Sequence, residues 1–394
     1  MIYFYNKFGK FVLWASEKIK RKPLNLLIKG EKNGMKNFRN FSVILLTALV
    51  IFFAGCAQFD IPTAPTPSES EECRIQGVSG SFETYYNQPP NSKDIDAKVV
   101  NFINSANSTV DVAIFNINRQ CIIDALVAKK KQGKRVRVVT ETDYYNNSKY
   151  KPFYNQLEAA GITVVPDIGT ALMHHKFIVV DGAKVLTGTY NFTDDQTFKD
   201  KNMIIIIKST SLAGFYTQEF NQMFVEKKFH GSKTPISGSC YVDGCLVKVY
   251  FSPRAGALTA MKNAIGTANS NIWFDIFTFT STDISSALIS RKNAGVSIKG
   301  TFDKWQAGSS YSQYLPLRNA GIPVKRDTYP GFLHEKIMSI DAYTTSDPIG
   351  IIGSFNWTAS ADSSNDENLL IIHNSFVANS IRSQCVYVYN NYAE

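Results

Sequence analysis

The sequence predicts an α/β fold built twice in one chain, as two pseudo-twofold-related α/β/α sandwich halves with one cleft between them. Three observations predict it. The chain has 394 residues, room for two or three domains. Its 44% hydrophobic and 19% charged residues belong to a protein with packed cores. Residues 80–394 repeat themselves, each copy alternating helix-like and strand-like apolar patterns, which implies a sheet covered on both faces.

The N-terminal region comes first. Met35 to Cys56 reads MKNFRNFSVILLTALVIFFAGC. Lys36 and Arg39 precede a mostly apolar run from Phe41 to Gly55, too short for a comfortable membrane span and suited to the core of an export signal. Phe53-Ala54-Gly55-Cys56 resembles a bacterial lipobox, with Phe53 where Leu is usual; the resemblance implies that Cys56 is lipidated and begins the mature chain. Residues 35–55 are therefore expected to be a signal peptide, and residues 1–34, which precede it, a misassigned upstream extension. The expected location is the bacterial cell envelope, exported and lipid-anchored. Residues 1–55 carry ten Lys and Arg against two Asp and Glu, most of the formal charge of +9, so the mature chain is close to neutral. The basicity is thus a weak argument for a nucleic-acid partner.

Residues 56–79, rich in Pro, Ser and Thr, read as a flexible tether. In an exported protein the remaining cysteines are permitted disulfides, and Cys240 and Cys245, flanking the turn-like Tyr-Val-Asp-Gly, are expected to form a local bridge. With Cys73, Cys121 and Cys385 the count is five, which leaves at least one thiol free or paired elsewhere, and no spacing resembles a zinc site.

The repeats are expected over 80–228 and 247–394, with a linker at 229–246. VVNFINSANSTVDVAIFNI at 99–117 matches AMKNAIGTANSNIWFDIFTF at 260–279, each a helix, an Ala-Asn-Ser turn and a buried strand. A second helix and strand follow, the strand ending at Asp143 or Asp303. Then MHHKFIVVDGAKVLTGTYNFT parallels LHEKIMSIDAYTTSDPIGIIGSFNWT.

That last pair carries the chemistry. Both copies contain His-x-Lys-x4-Asp, as His174, Lys176, Asp181 and His334, Lys336, Asp341, although the chain has only five histidines. Gly188-Thr189-Tyr190-Asn191 and Gly353-Ser354-Phe355-Asn356 lie downstream. On a strand, a His and a Lys two residues apart share a face. Asp181-Gly182 is a hairpin signal that returns the chain and brings Asn191 back beside them. In duplicate this gives two imidazoles, two ammonium groups and two carboxamides, a set suited to a phosphodiester. The cations and amides can hold the non-bridging oxygens, one His can attack phosphorus, and the other can donate to the leaving oxygen and then activate water or an alcohol. No cofactor or metal is called for.

These motifs resemble the duplicated signature of the phospholipase D superfamily, over about 300 residues. The resemblance implies two α/β/α halves sharing one active site and a phosphohistidine intermediate. It implies His174 as nucleophile and His334 as acid/base, both within the catalytic motifs completed by Lys176, Lys336, Asp181 and Asp341. Phosphate binding would fall to Lys176, Lys336, Asn191 and Asn356, with the hydroxyls of Thr189 and Ser354; the aspartates would order their turns rather than touch substrate. The family often holds a motif His through a Glu in an Asn-x-Glu-Asn context. The second copy keeps it in Glu367; the first has Lys201 there, leaving Asp200 as a substitute or His174 less firmly oriented.

His175 alternates to the opposite strand face and is expected to be structural, while His230 and His373 lack a motif and are expected at the surface or satisfied in the core. The KKKQGKR run at 129–135 reads as a solvated helix end. Tyr144, Tyr145, Trp305, Tyr311 and Tyr314 follow equivalent strand ends, where open α/β sheets place their ligand crevice. They could cage a quaternary ammonium, stack on bases or be ordinary loop residues. The first expectation is a phospholipase D acting on a phospholipid at a membrane that the lipid anchor holds. A nuclease on DNA or RNA and a catalytically weak envelope-binding protein are the alternatives. Both motifs lie in one chain, so a monomer suffices.

Overall fold

A computed structural model describes residues 74–87, 89 and 94–394. The signal segment, Cys56 and the upstream extension lie outside the described residues.

The first half runs β1 (Gly77–Ser79), β2 (Phe82–Tyr86), α1 (Asp94–Asn104), β3 (Thr109–Ile114), α2 (Gln120–Lys131), β4 (Arg135–Thr140), α3 (Thr142–Asn146), α4 (Lys151–Ala159), β5 (Thr163–Pro166), β6 (Lys176–Val180), β7 (Lys184–Gly188), α5 (Asp194–Phe198), β8 (Met203–Lys208) and α6 (Thr210–Phe224). The second follows the same course: β9 (Ile236–Val242), β10 (Cys245–Ser252), α7 (Ala257–Gly266), β11 (Asn271–Ile276), α8 (Thr282–Asn293), β12 (Ser297–Phe302), α9 (Lys304–Ala307), α10 (Tyr314–Asn319), β13 (Val324–Arg326), β14 (Lys336–Ile340), β15 (Ile349–Gly353), α11 (Ala359–Ser363), β16 (Glu367–His373) and α12 (Ser375–Asn391).

Each half builds one eight-stranded sheet, ordered β1-β2-β8-β7-β6-β3-β4-β5 and β13-β12-β11-β14-β15-β16-β10-β9. Strands β3, β4 and β5 are parallel, joined by helical crossovers, and β6, β7 and β8 form an antiparallel meander; β11–β13 and β14–β16 repeat this. Helices α6 and α12 pack against both sheets, so the layers run helix, sheet, helix, sheet, helix. The middle layer buries a core shared by the halves, including Phe177, Tyr216 and Phe220 from the first and Phe251, Ile337 and Ile381 from the second. Two outer cores lie under the flanking helices of each half.

The span 229–246, expected as a linker, is folded: it carries β9 and opens β10, the counterpart of the β1–β2 hairpin, and Lys233 is buried. The end of the expected tether is ordered too, since the Ile75 N–H donates to Ser383 Oγ (2.8 Å) and the Arg74 Nε to Gln384 (3.0 Å) on α12. Cys240 and Cys245 form no disulfide. The hairpin register sets Cys240 opposite Val247 and Cys245 opposite Val242. The two cysteines are therefore diagonal neighbours at roughly 7–8 Å, beyond the usual reach of a disulfide. The basic run is solvated except for Lys129, whose buried Nζ donates to the carbonyls of Asn104 (2.7 Å) and Ala106 (3.0 Å) at the end of α1.

Candidate active site

Both His-Lys pairs sit beside the C-terminal end of the parallel strand that borders the antiparallel meander of their half. Lys176 pairs with Ile114, the last residue of β3, and Lys336 with Ile276, the last of β11. The next N–H on each parallel strand, from Phe115 or Phe277, donates to the carbonyl of His175 or Glu335. The Phe115 ring then lies 4.9 Å from His174, and the Phe277 ring 4.8 Å from His334. Each lysine folds back to donate to the carbonyl of its own motif histidine (2.7 Å in both) and lies over the same ring, at 4.9 Å and 4.7 Å.

The halves are zipped together at this point. The His174 N–H donates to the Asp366 carbonyl and the His334 N–H to the Lys201 carbonyl (2.9 and 3.0 Å), so the segment before each motif pairs with the strand entry of the other half. Gly188 and Gly353 permit the close packing alongside: a Cβ on either would meet a backbone carbonyl at 2.3 or 2.1 Å.

This crossing corrects the expected assignment of the orienting carboxylate. Glu367 holds the histidine of the other half, its Oε2 lying 2.8 Å from His174 Nδ1. His334 Nδ1 is held instead by Asn202 Oδ1 and the Thr189 carbonyl, both at 3.1 Å. The Thr189 carbonyl assigns the proton of His334 to Nδ1, and an ionised Glu367 does the same for His174, leaving Nε2 of each neutral ring with its lone pair. His174 is therefore the ring with a carboxylate behind it. Asp200 touches no histidine: its carboxylate accepts from Phe332 N (2.9 Å) and Gln196 Nε2 (2.6 Å), bracing the loop before His334. Lys201 points away, into a cage of tyrosines with Nζ 4.1 Å from the Tyr392 ring and 4.4 Å from Tyr329. Asn202 is the orienting residue that sequence reasoning missed; its alignment with Asn368 in the repeat was the available signal.

The remaining predicted residues divide. Asn191 is buried and Asn356 half-buried; among the described residues neither Oδ1 has a partner, so each side-chain amide is uncommitted and its Nδ2 is the donor it can offer an anion. The Thr189 and Ser354 hydroxyls are buried and committed to the protein, to Asn202 and Met203 and to the Asn368 N–H respectively, so they brace the site rather than meet a phosphate. Asp181 and Asp341 lie at the opposite end of their strands, about 17 Å along the chain from the lysines. They accept from three consecutive N–H groups each, at residues 107–109 and 269–271, tying down the Ala-Asn-Ser turns. Their place is structural, not catalytic.

Strand β4 ends at Thr140, so Asp143 lies within α3, and the true counterpart of Asp303 is Glu141. Glu141 accepts from Met173 N (2.6 Å) and Asp303 from Leu333 N (3.1 Å), each pinning the residue before a motif histidine. Behind His174 runs a chain of buried charges. His175 meets Glu219 (2.9 Å), Glu219 meets Lys233, Lys233 meets Asp366 (2.7 Å), and His230 lies between Asp366 and Asp167 (3.0 Å each). His175 is thus structural and His230 satisfied in the core. His373 pairs with Asp347 (2.9 Å). Of the five rim aromatics, Tyr144 packs on Phe115 (4.8 Å) and Trp305 on Phe332 (5.1 Å), both beside the site. Tyr145 turns to Tyr154, Tyr314 packs on Phe302, and Tyr311 is exposed.

The electrostatics are those of a pocket waiting for an anion. Burial, then Lys176 and Lys336, holds His174 well below the usual imidazole range; burial, then the same two lysines, does so for His334. Each histidine lies within electrostatic reach of both lysines, so the two pairs are near one another. Burial also lowers Lys176 well below its usual range and Lys336 to about 7, while it pushes Glu367 up to about 8. A bound phosphate anion reverses this frustration by favouring the charged lysines.

The family described as "Cardiolipin synthase, PLD-like domain" matches residues 99–224 and again 261–386. A "Phospholipase D" of Rickettsia conorii is 33% identical over 34% of this chain and 64% of its own length. A "Mitochondrial cardiolipin hydrolase" of Xenopus laevis is 33% identical over 31% of this chain and 57% of its own. The chain thus spans somewhat less than two thirds of each of these two relatives. A solved phosphatidylserine synthase of Haemophilus influenzae Rd KW20 shares the fold, with a TM-score of 0.62 at 11% identity, over 82% of this chain and 88% of that one. With the domain present twice and the paired His-Lys motifs meeting between the halves, the chain belongs to the phospholipase D superfamily.

Proposed function

We propose that this chain is a metal-independent phosphodiesterase acting on phospholipids through a phosphohistidine on His174. The observation that carries the reading is the carboxylate of Glu367 on His174 Nδ1, which leaves Nε2 as the nucleophile and offsets the charge of a phosphorylated imidazole. The lone pair of Nε2 attacks phosphorus. The empty site holds His334 neutral, and a bound phosphate anion raises its proton affinity so that its Nε2 takes up a proton; as the P–O bond to the head-group alcohol breaks, that oxygen takes this proton. His334, now neutral, removes a proton from water, whose oxygen attacks phosphorus; the P–N bond breaks and phosphatidic acid leaves. An alcohol in place of water makes the second step a transphosphatidylation. Lys176, Lys336, Asn191 and Asn356 hold the non-bridging oxygens, and the two ammonium groups supply the positive charge that a metal otherwise provides. Relatives named phospholipase D and cardiolipin hydrolase support a lipid substrate.

The test is the purified protein in EDTA against phosphatidylcholine, plasmid DNA and an aryl phosphodiester. Release of phosphatidic acid is expected. Cleavage of DNA alone establishes a nuclease, activity lost in EDTA sinks the metal-independent mechanism, and inactivity on all three favours a binding protein. The proposal extends to placement at the cell envelope through Cys56, supported by the lipobox; palmitate labelling that disappears in Cys56→Ala is the expected result.

A further inference from the structure

A third buried carboxamide, that of Asn116, lies beside Asn191. We propose that Asn116 donates to a non-bridging oxygen of the substrate phosphate, held in place by the Tyr144 hydroxyl, and that the first half alone supplies this extra donor. The inference rests on the phosphodiesterase reading and adds to that site one residue that touches substrate and one that positions it.

Position comes first. Asn116 follows Phe115, whose ring lies 4.9 Å from His174 and 4.9 Å from Lys176 Nζ. One residue on, Ile117 pairs in parallel with Phe192, and the N–H groups of Asn118 and Arg119 both donate to the Phe192 carbonyl (2.9 Å each). Ile117 and Phe192 pack into the outer core of the first half. Neighbours on extended chain point opposite ways. Asn116 and Asn191, the residues before that pair, therefore turn together away from the outer core, to the side where the Phe115 ring meets His174.

The state of the amide comes next. Asn116 is 6% exposed and Asn191 5%, and among the described residues neither Oδ1 has a partner. A buried amide left unsatisfied in a native site calls for a ligand. The oxygen is the buried end, so Nδ2 is the end that Asn116 offers, with two N–H groups. The carboxamide hydrogen-bonds the Tyr144 hydroxyl, which takes one of them and leaves the other for an anion. Tyr144 is itself braced, its ring edge-on to Phe115 (4.8 Å) and Tyr150 (4.9 Å).

The second half makes the same turn with different residues. Phe279 pairs in parallel with Trp357, so Thr278 stands beside Asn356 as Asn116 stands beside Asn191. Gln306, third after Asp303, takes the place of Tyr144, third after Glu141. There the Thr278 hydroxyl donates to Gln306 Oε1 (3.4 Å) and is committed. Two amides thus come from the half that carries His174 and one from the half that carries His334. An N–H fixed before reaction stabilises the charge that gathers on the non-bridging oxygens as His174 attacks, and the extra one lies on the nucleophile's half.

The experiment reads kcat and KM of the full chain on bis-nitrophenyl phosphate. Asn116→Ala should lower kcat by ~10²-fold, with KM changed far less. Asn116→Leu, which keeps the branched shape and lacks the N–H, should do the same and carries the test where the alanine variant melts early. Tyr144→Phe should cost about tenfold, and should add nothing to Asn116→Ala because it acts through that amide. Thr278→Ala should leave kcat close to wild type. Calorimetric titration with methyl phosphate gives a readout free of turnover, and both Asn116 variants should bind it about tenfold more weakly than wild type. A wild-type rate and affinity in the folded Asn116 variants, an equal loss in Thr278→Ala, or additive losses for Asn116→Ala and Tyr144→Phe overturns the inference and leaves the phosphodiesterase reading standing. Absence of turnover by the wild-type protein, with methyl phosphate affinity still lost in the Asn116 variants, overturns that reading and keeps Asn116 as an anion-binding amide.

Discussion

The two halves carry one motif and treat it differently. The first half's His174 is backed by a carboxylate, Glu367, donated by the second; the second half's His334 is backed by an amide, Asn202, and a carbonyl, donated by the first. The difference is compensated elsewhere. Where the first copy has His175 after its motif histidine, the second has Glu335; where the second has Glu367, the first has Lys201. Glu335 is buried against Asp275, and Lys201 is the cation that most lowers its proton affinity. A glutamate at 201 would add a third carboxylate to that pair, so the charge change at one position answers the change at the other. The pseudo-twofold frame thus holds two unequal histidines, and the inequality matches a division of labour. A nucleophile that passes through a cationic phosphoimidazole gains from a carboxylate behind it, and an acid that must give up its proton gains from its absence.

The inequality of the two histidines can be measured. Replacing the nucleophile has the largest expected effect: His174→Asn should lower kcat by ~10⁴-fold or more, whereas His334→Asn should cost ~10²–10⁴-fold, least with a good aryl leaving group. Steady-state rates on an activated diester check both. The orienting partners come next. Glu367→Gln should lower kcat by roughly 10–100-fold, and Asn202→Ala by less than tenfold, with KM little changed in either. Equal losses would remove the asymmetry argued above.

The charge exchange makes a stability prediction. Lys201→Glu should destabilise the fold by about 3–5 kcal/mol in denaturant titrations, because it buries an unpaired carboxylate beside Glu335 and Asp275. The double variant Lys201→Glu, Glu335→His should recover part of that loss, which an additive pair would not.

The smallest effect concerns pH. Lys336 is lowered to about 7 in the empty pocket, and a bound anion raises it. Binding therefore takes up a proton: affinity for an alkyl phosphate is full below about pH 7 and weakens as pH rises towards the bound-state value. Calorimetry between pH 6 and pH 9 should show a decline for wild type and a shallower one for Lys336→Arg.

The duplication, the sheets and the His-Lys pairs were legible because they are local. A spacing along one strand fixes which side chains share a face, and a repeat fixes that it happens twice. What escaped depends on contacts between distant strands. Glu367 lies beside its own motif in the repeat, yet the entry segments cross and deliver it to the other half's histidine. For the same reason Asn202 was not singled out. Asp181 and Asp341 belong to the motif by spacing, but a strand's length separates them from the chemistry. The edge hairpin β9–β10 was hidden in a stretch whose Gly, Ser and Cys content resembles a connector, and pairing with β16 makes it a strand.

On this geometry the carboxylate-backed histidine, His174, is the nucleophile. The most direct test is to incubate His334→Asn with an aryl phosphodiester, quench in alkali, digest, and locate the phosphoryl adduct by mass spectrometry. The account predicts an adduct on the peptide containing His174, absent from His174→Asn. An adduct on His334 in His174→Asn, with none on His174, would contradict it.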